Sequence, residues 1–211
     1  MKTALLSATY FGPVQWYQKL NRFDHILIEQ HDNFIKQTYR NRCVIATTQG
    51  LQALTVPVER PANGRLDKTP LCELRVSNHG EWRHLHWNAL QSAYGESPFF
   101  EFYADDLRPF FERKWEFLID FNMAITEKMC HLLDIRPDLK LTDAYQTADN
   151  VAGNAQLTDY RDIIRPKHPG ADPGFTAPVY YQVYSAKYGF QPNLSILDLL
   201  FNEGNEAVYY L

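Results

Sequence analysis

A polar run at residues 36–43 contains the groups of this sequence that are best suited to binding chemistry. It combines three cations, a phenol, two amides and a hydroxyl, in a chain whose net charge is −4. The segments on either side of it are apolar and predict strands. Because guanidinium and ammonium groups on rigid elements bind phosphates and carboxylates well, the run predicts an anion-binding site.

The spacing within this run indicates how its side chains divide. Lys36, Arg40 and Arg42 stand at even positions, so a regular strand would place them on one face as an anion-binding row. Tyr39 and Asn41 would then lie on the other face and orient polar groups of a ligand. The alternative is a solvated face whose charges protect a sheet edge from pairing. The sequence has no matching run of carboxylates beside the row, so simple ion pairing does not account for it.

Residues 82–87, which read Trp-Arg-His-Leu-His-Trp, form a second dense cluster. On a helix, Trp82 and His86 lie one turn apart on one face, and Arg83 lies with Trp87 on the neighbouring face. In this interpretation His86 is the acid/base candidate, and Trp82 and Arg83 contact the substrate. The alternative is an amphipathic helix whose aromatic residues anchor it in the core.

Four titratable residues lie just before the polar run: His25, Glu29, His31 and Asp32. A histidine or carboxylate there could serve as general base, because burial and neighbouring groups can tune both towards neutral pH, and His25 is the second acid/base candidate. The alternative is a polar strand end and its turn. His84 and His86 do not share a helical face and no nearby cysteine or aspartate completes a metal set, so we predict no metal. The sequence contains no dinucleotide-binding, P-loop, nucleophile-elbow or zincin motif, and it leaves any cofactor unidentified.

Composition restricts the partners and the compartment. A sequence pI near 6.0 argues against general nucleic-acid binding. Cys43, Cys72 and Cys130 are widely spaced and odd in number, which predicts reduced thiols rather than a disulfide framework. The first residues are too short an apolar stretch for a secretory signal, and no stretch approaches membrane-spanning length. We therefore expect a cytoplasmic protein without a membrane span.

The apolar pattern predicts a mixed α/β (α+β) fold, with an N-terminal mixed or antiparallel sheet that has hairpins and is covered by long helices. The predicted strands cover residues 4–10, 25–29, 33–46, 52–59, 72–76 and 180–184. The predicted helices cover residues 14–23, 81–94, 99–133 and 194–201. Short polar links predict a hairpin at residues 47–50 and a surface loop at residues 61–64. Asn193 and Gly204 are expected to begin and end the last helix.

The chain is expected to form one core with a C-terminal extension. Residues 1–139 supply the sheet and most helices. Residues 140–211 supply a loop rich in proline and glycine, followed by a strand and a helix that pack on the same core. A loop of this length indicates a lid over a site or a mobile segment, and the strong apolar pattern that follows favours the lid. The last helix is apolar nearly all round, so we expect it to be buried.

Several segments, taken in order, resemble the WbqC-like family of bacterial proteins. The resemblance extends roughly over residues 1–130 and returns at residues 190–202. It rests on Tyr10-Phe11-Gly12-Pro13, residues 36–43, Leu54-Thr55-Val56-Pro57-Val58, Trp82 with His86 and Trp87, and Tyr94 followed by Ser97-Pro98-Phe99-Phe100. The chain departs from the family pattern at Gly12-Pro13, where many relatives have a Phe-Pro pair.

The resemblance implies a role in surface-polysaccharide (O-antigen) biosynthesis and the transfer of glycine or a similar small group. We therefore expect a transferase whose anionic substrate is a nucleotide-linked sugar or another phosphorylated metabolite; a homo-oligomer remains open. The alternative is a non-catalytic partner or scaffold protein of an envelope-assembly system. A deep cleft joining residues 36–42 to His86 would favour the enzyme, and a flat apolar patch would favour the scaffold.

Overall fold

A computed structural model describes residues 1–62 and 64–211 of the chain. A four-stranded sheet lies at its centre. Its strands are β1 (Thr3–Ser7), β2 (His25–Glu29), β5 (Leu139–Leu141) and β6 (Leu157–Asp159). Their order across the sheet is β5-β2-β1-β6, and all three pairings are parallel. The register places Leu5 opposite Leu27 on one side and Asp159 on the other.

The two central strands, β1 and β2, are continuous apolar runs, as expected for parallel strands that are covered on both faces. Ala4, Leu5 and Leu6 of β1 are 0% exposed, and Ile26 and Ile28 of β2 are at most 1% exposed. The chain moves from β1 to β2 on one side and returns to β6 on the other. The strand order therefore reverses beside β1. In α/β proteins, ligands bind at the carboxyl ends of strands at such a topological switch point.

An antiparallel hairpin forms the second, smaller sheet, with strands β3 (Arg42–Thr47) and β4 (Gly50–Thr55). Gly50 has a positive φ of 101°, which glycine adopts without steric cost. The Thr47 hydroxyl donates a hydrogen bond of 2.8 Å to the Gly50 carbonyl and closes the turn. The hairpin predicted at residues 47–50 is confirmed.

Helices cover the strands. They are α1 (Val14–Arg22), α2 (Trp82–Tyr94), α3 (Phe100–Leu107), α4 (Pro109–Glu112), α5 (Leu118–Leu132), α6 (Ala148–Ala152), α7 (Ser185–Tyr188) and α8 (Ile196–Glu203). Short 3₁₀ turns occupy Leu66–Lys68, Leu71–Glu73 and Gly204–Tyr210. Helix α8 is buried from Ile196 through Asn202, as its apolar pattern predicts. The expected mixed α/β class is confirmed, with parallel pairing in the main sheet and antiparallel pairing in the hairpin.

The strand predicted over residues 33–46 is wrong over most of its length, because β3 begins only at Arg42. Residues 36–40 instead form turns, and Gln37 has a positive φ of 61°. The Thr38 hydroxyl donates to the carbonyl three residues earlier at 2.8 Å, a local bond that competes with strand pairing. The predicted row of cations on one strand face is therefore wrong as well.

Two more predicted strands are replaced by other structure. Residues 72–76 begin within a 3₁₀ turn. Residues 180–184 do not form a strand, and the side chains of Tyr180 and Gln182 bind the carboxylate of Asp198 instead. These side chains tie the segment to α8 without a backbone ladder.

Helix ends also differ from the sequence-based expectations. The helix predicted over residues 99–133 is divided into α3, α4 and α5, with Pro109 at the start of α4. Ser195, rather than Asn193, is the N-cap of α8, because its hydroxyl accepts the Leu197 amide at 3.3 Å. Gly204 is confirmed as the C-cap, with a φ of 58°. The loop predicted at residues 61–64 contains Asn63, which lies outside the described residues.

The segment rich in proline and glycine is connected to the N-terminal part of the chain. It supplies β6 to the sheet, and its Asp172 pairs with Lys19 of α1 at 2.7 Å. The division into residues 1–139 and 140–211, and the role of this segment as a lid, stay predictions. Within the described ranges, no helix is both long enough and apolar enough to cross a membrane.

Candidate functional site

A cleft of about 1050 Å³ opens along the carboxyl edge of the four-stranded sheet. Three parts of its lining follow sheet strands directly: residues 31–36 follow β2, Tyr145 follows β5, and residues 161–165 follow β6. Arg60 and Leu66 contribute from the connection after the hairpin. Because parallel strands end at one edge of a sheet, segments far apart in sequence converge here.

Positive charge dominates the lining of the cleft. The cationic residues are Lys36, Arg40, Arg60, Arg161 and Arg165. The acidic residues are Asp32, Asp67 and Asp162. Lys36 and Arg60 are exposed and form no ion pair among the residues that the structure describes. Both are therefore available to bind an anionic ligand.

Arg161 is held in a fixed orientation by two carboxylates. Its Nε and Nη2 bond to Asp159 at 3.0 and 2.7 Å, and its Nη1 lies 3.3 Å from an oxygen of Glu29. The guanidinium carbon lies 5.3 Å from the centre of the Tyr145 ring. A planar guanidinium bound along two edges cannot rotate freely, so Arg161 is preorganised at the cleft.

Glu29 is the buried carboxylate that joins the segments of this edge, and it is 0% exposed. Its Oε1 accepts hydrogen bonds from the His31 amide at 2.9 Å and the Thr142 hydroxyl at 2.8 Å. Its Oε2 accepts from the Gln146 amide at 2.8 Å and from Arg161. Four donors satisfy the charge of a group that would otherwise be costly to bury. Glu29 thereby links the residues that follow β2, β5 and β6.

Arg40 and Asp32 form a second ion pair in the cleft, in which Nη2 donates to Oδ2. They are 3% and 7% exposed. Asn122 of α5 donates to the Arg40 carbonyl at 2.7 Å and fixes the backbone there. Burial raises the pKa of Asp32, and the neighbouring Arg40 opposes that rise only in part. Arg40 Nε and Asp32 Oδ1 have no hydrogen-bond partner within the described ranges.

His31 places an imidazole on the wall of the cleft. Its Nε2 lies 3.0 Å from the Thr142 carbonyl. Since a carbonyl only accepts hydrogen bonds, Nε2 bears the proton and Nδ1 of the neutral ring keeps a lone pair. Nδ1 lies 3.9 Å from the sulfur of Cys72, whose pKa is raised by burial. His31 can therefore accept a proton while its ring orientation is fixed.

His86, by contrast, lies in the aromatic core. It is 6% exposed, its Nδ1 is 2.9 Å from the Tyr10 hydroxyl, and its ring centre is 5.2 Å from that of Trp82. Burial disfavours the imidazolium and lowers the pKa of His86 to about 4. The Trp82 indole donates to the Ser77 carbonyl at 2.9 Å, and Arg83 stacks on it at 4.7 Å. His86, Trp82 and Arg83 do not line the cleft.

His25 is also far from the cleft along its strand. It is the first residue of β2, so it lies at the amino edge of the sheet, whereas the cleft lies at the carboxyl edge. Its Nδ1 is 2.6 Å from Asp138 Oδ2 in an exposed contact. The structure therefore does not bring the two predicted acid/base residues, His25 and His86, to one cleft.

The predicted anion-binding run is divided between two places. Lys36 lines the cleft together with Arg40. Asn41 and Arg42 instead bind the hairpin: the Asn41 amide donates to a carbonyl just after β4 at 2.8 Å, and Arg42 Nε donates to a β4 hydroxyl at 3.0 Å. Tyr39 is partly buried, and burial raises its pKa to about 12. Only the first part of the run reaches the cleft.

Sequence reasoning missed Arg60, Arg161 and Arg165 as binding residues, and it missed the linking role of Glu29. Three of these four depend on β5 or β6, which are three residues long each. Such short strands give no alternation or apolar run that a sequence pattern can identify. The one available signal was Asp159-Tyr160-Arg161-Asp162, a charged stretch that begins at the last residue of β6.

Comparison with known proteins places the chain in a family. The model of the WbqC-like protein family matches residues 8–169, a span that includes every residue lining the cleft. An uncharacterized protein of Mycobacterium tuberculosis (strain ATCC 25618 / H37Rv), Rv1507c, is 31% identical over 233 residues, which cover 100% of this chain and 97% of the relative. No solved structure matches the chain significantly. The chain therefore belongs to the WbqC-like protein family.

Proposed function

We propose that this protein is a transferase that moves glycine or a similar small group on a nucleotide-linked sugar, or another phosphorylated metabolite, in surface-polysaccharide biosynthesis. The observation that carries the proposal is the cationic cleft at the carboxyl edge of the parallel sheet. Its Lys36 and Arg60 have positive charge that the described carboxylates leave uncompensated. The resemblance to the family implies the polysaccharide context, and the cleft supports the binding of an anionic substrate.

Phosphate groups of the substrate bind Lys36 and Arg60 in this proposal, since both are cationic donors with exposed side chains. Apolar surface lies beside them. Tyr145 is 49% exposed and Ile35 is 42% exposed, and both line the cleft. A base or sugar ring packs on such surfaces. The cleft is also of the size that accommodates small-molecule ligands.

His31 takes the acid/base role in the proposal, in place of His86 and His25. It lines the cleft, and its neutral ring keeps an acceptor at Nδ1, which contacts the Cys72 sulfur at 3.9 Å. The Thr142 carbonyl holds the ring, and Glu29 binds the backbone amide of the same histidine. An imidazole that is oriented by a third group matches the arrangement of a general base.

The segment rich in proline and glycine closes over the bound substrate in this proposal and excludes water from it. It contributes Arg161 and Arg165 to the cleft. Farther along, Asp172 binds Lys19 and the Gln15 amide, which anchors the segment on α1. The anchored part would act as the fixed end of the lid.

A scaffold protein of an envelope-assembly system is the second candidate, and an apolar groove of about 1160 Å³ favours it. The groove lies between α5 and the C-terminal 3₁₀ turn, with Met123, Leu132 and Val208 in its lining. Tyr209 also lines it and is 84% exposed. Exposed apolar surface of this kind is typical of protein contacts. Tyr209→Ser should then weaken partner binding without changing ligand binding at the cleft.

Thermal stabilisation by a panel of nucleotide sugars, nucleotides and acyl-CoA thioesters tests the first candidate, because a ligand that binds only the folded state raises the unfolding midpoint. The Lys36→Ala/Arg60→Ala variant should lose the shift. Lys114→Ala is the matched control, since that side chain is exposed and lies outside both the cleft and the second groove. A saturable shift that survives the double substitution would contradict the cleft as the site. No shift from any compound would favour the scaffold.

A further inference from the structure

A small niche adjoins the cleft at the switch point between β1 and β6. Its volume is about 10 Å³, which is close to the space that one water molecule or one ligand oxygen needs. Ser7 ends β1, Thr9 follows it, and Tyr160 follows β6. Arg40 and Arg161 line both the niche and the cleft. The niche and the cleft therefore share two cationic walls.

Polar atoms around the niche have no hydrogen-bond partner within residues 1–62 and 64–211. They are the hydroxyls of Ser7 and Thr9 and the Nε–H of Arg40. Thr9 is 2% exposed and Arg40 is 3% exposed. Buried polar groups are normally paired, because an unpaired one loses its hydration without compensation. A ligand atom that accepts hydrogen bonds would supply the missing partner.

The first backbone amides of α1 do not supply the binding groups at this position. In many α/β proteins, amides at the start of the first helix bind the anion at the switch point. Here the first amides of α1 are used within the chain. The Val14 amide donates to the Leu194 carbonyl at 3.0 Å, and the Gln15 amide donates to Asn193 Oδ1 at 2.9 Å. These two amides are therefore not available at the niche, whereas the side-chain donors of Ser7, Thr9 and Arg40 are unpaired within the described residues.

The charges around the niche select among anions. Arg161 pairs with Glu29 and Asp159, and Arg40 pairs with Asp32. Three carboxylates thus pair with two guanidinium groups, so a phosphate with nearly two negative charges is repelled more strongly than a carboxylate with one, and the unpaired donors have less repulsion to offset for the carboxylate. A carboxylate has a single charge spread over two oxygens. The volume of the niche admits one of those oxygens.

We infer that the niche binds one oxygen of a ligand carboxylate through Ser7, Thr9 and Arg40 Nε, while phosphate groups bind at Lys36 and Arg60. One of the two substrates of the transfer therefore contains a carboxylate. The inference rests on the proposed function only in assigning the cleft to the phosphorylated substrate. The niche itself can be tested with a simple carboxylate.

The probe is sodium acetate, titrated into the ¹⁵N-labelled full chain at constant ionic strength and followed by NMR. Thr9→Val removes a hydroxyl at nearly constant volume and should weaken acetate binding about tenfold or more, because a hydrogen bond to a charged group is lost. Thr9→Ser should keep the affinity. Thr158→Val is the matched control, since Thr158 is exposed on β6. Amide shifts should centre on residues 7–9 and Arg40.

Gly12→Ala gives a second perturbation, because a Cβ there would lie 2.4 Å from the Thr9 hydroxyl and displace it. It should weaken acetate binding as Thr9→Val does. Unchanged acetate affinity in Thr9→Val would mean a resident water only and would overturn the inference. Inorganic phosphate that binds more tightly than acetate, with the same dependence on Thr9, would overturn the choice of a carboxylate.

The inference and the proposed function can fail separately. Lys36→Ala/Arg60→Ala should abolish stabilisation by nucleotides while leaving the acetate affinity within a factor of about two, since the donors at the niche are intact. Persistent nucleotide stabilisation in that variant would contradict the role of the cleft and leave the acetate result standing. Loss of acetate binding in that variant would overturn the niche as a distinct subsite. Unfolding midpoints of every variant show that each one is folded.

Discussion

Glu29 and Arg161, which are 132 positions apart in the sequence, pair at 3.3 Å across the carboxyl edge of the sheet. Glu29 ends β2 and Arg161 follows β6, with β1 between the two strands. Their side chains are 0% and 10% exposed. Because the two charges are withdrawn from water together, each contributes to the compensation of the other, beside Asp159 for Arg161 and three further donors for Glu29. The pair spans the switch point and holds Arg161 at the cleft.

Glu29→Gln should lower the free energy of unfolding by about 3 kcal/mol, because removing one partner of a buried ion pair leaves the other charge poorly compensated. Arg161 keeps Asp159, so the loss should lie at the lower end of the range for such pairs. Urea unfolding at pH 7 measures it. Glu127→Gln, at an exposed position of α5, is the matched control and should change the free energy by less than about 0.5 kcal/mol. A loss below about 1 kcal/mol in Glu29→Gln would contradict the linking role.

The buried state of His86 predicts a pH dependence of stability. Its pKa of about 4 in the folded chain lies below the ordinary value of 6.5. Between pH 4 and pH 6.5, His86 is therefore protonated in the unfolded chain and neutral in the folded chain. Stability from this residue is fully present above pH 6.5 and is lost as the pH falls towards 4, by about 3 kcal/mol in total.

The measurement is the free energy of unfolding from pH 7.5 to 4, in the wild type and in His86→Gln. The substitution should remove about 3 kcal/mol of the acid-induced loss, whatever its effect at pH 7. His79→Gln, at an exposed position, should leave the profile unchanged. Parallel profiles for wild type and His86→Gln would show that His86 titrates normally. Such a result would reopen its role as an accessible base.

Whether a strand could be predicted from the sequence depended on how many consecutive residues its apolar pattern covers. Strands β1 and β2 were predictable, because each contains three successive large or apolar residues that parallel pairing buries. Strands β5 and β6 were missed, since Lys140 and Asp159 interrupt segments of only three residues. Without these two strands, the parallel order and its switch point could not be inferred.

The residues of the site divide in the same way, into those that local composition identifies and those that only the pairing of distant strands brings into place. Lys36 was identified from local composition and lines the cleft. Arg161 gains its position only from the pairing of β6 with β1, a contact between distant segments that local pattern does not encode. Local pattern could not decide where His86 lies, because a helical face that contains His86 and Trp82 is compatible with a buried core as well as with a binding site. The contact between Tyr10 and His86 shows that this face lies in the core.

Asp198 is predicted to be a major determinant of stability. It is 1% exposed and accepts hydrogen bonds from Tyr94 at 2.8 Å, Tyr180 at 2.8 Å and the Gln182 amide at 2.9 Å. Asp198→Ala leaves three buried donors without this acceptor, so it should lower the free energy of unfolding by about 4 kcal/mol. Asp105→Ala, at an exposed position of α3, is the control. A small loss in Asp198→Ala would mean that the three donors find other partners.

The ion pair between Lys19 and Asp172 predicts how firmly the segment rich in proline and glycine is attached. The two nitrogen and oxygen atoms are 2.7 Å apart, and the side chains are 3% and 5% exposed. Burial by itself would raise the pKa of Asp172, but hydrogen bonds from Lys19 and Gln15 outweigh it, so that pKa is lowered. The carboxylate is therefore held in its charged form against α1.

Asp172→Asn removes that charge with little change in shape, so the segment around residues 166–178 should open more often. Limited proteolysis and amide hydrogen exchange in this segment should both accelerate about tenfold or more, while the rates in β1 and β2 stay constant. Asp149→Asn, on the exposed face of α6, is the matched control. Equal protection in wild type and Asp172→Asn would show that the segment is held by other contacts, and the anchored end of the proposed lid would then lie elsewhere.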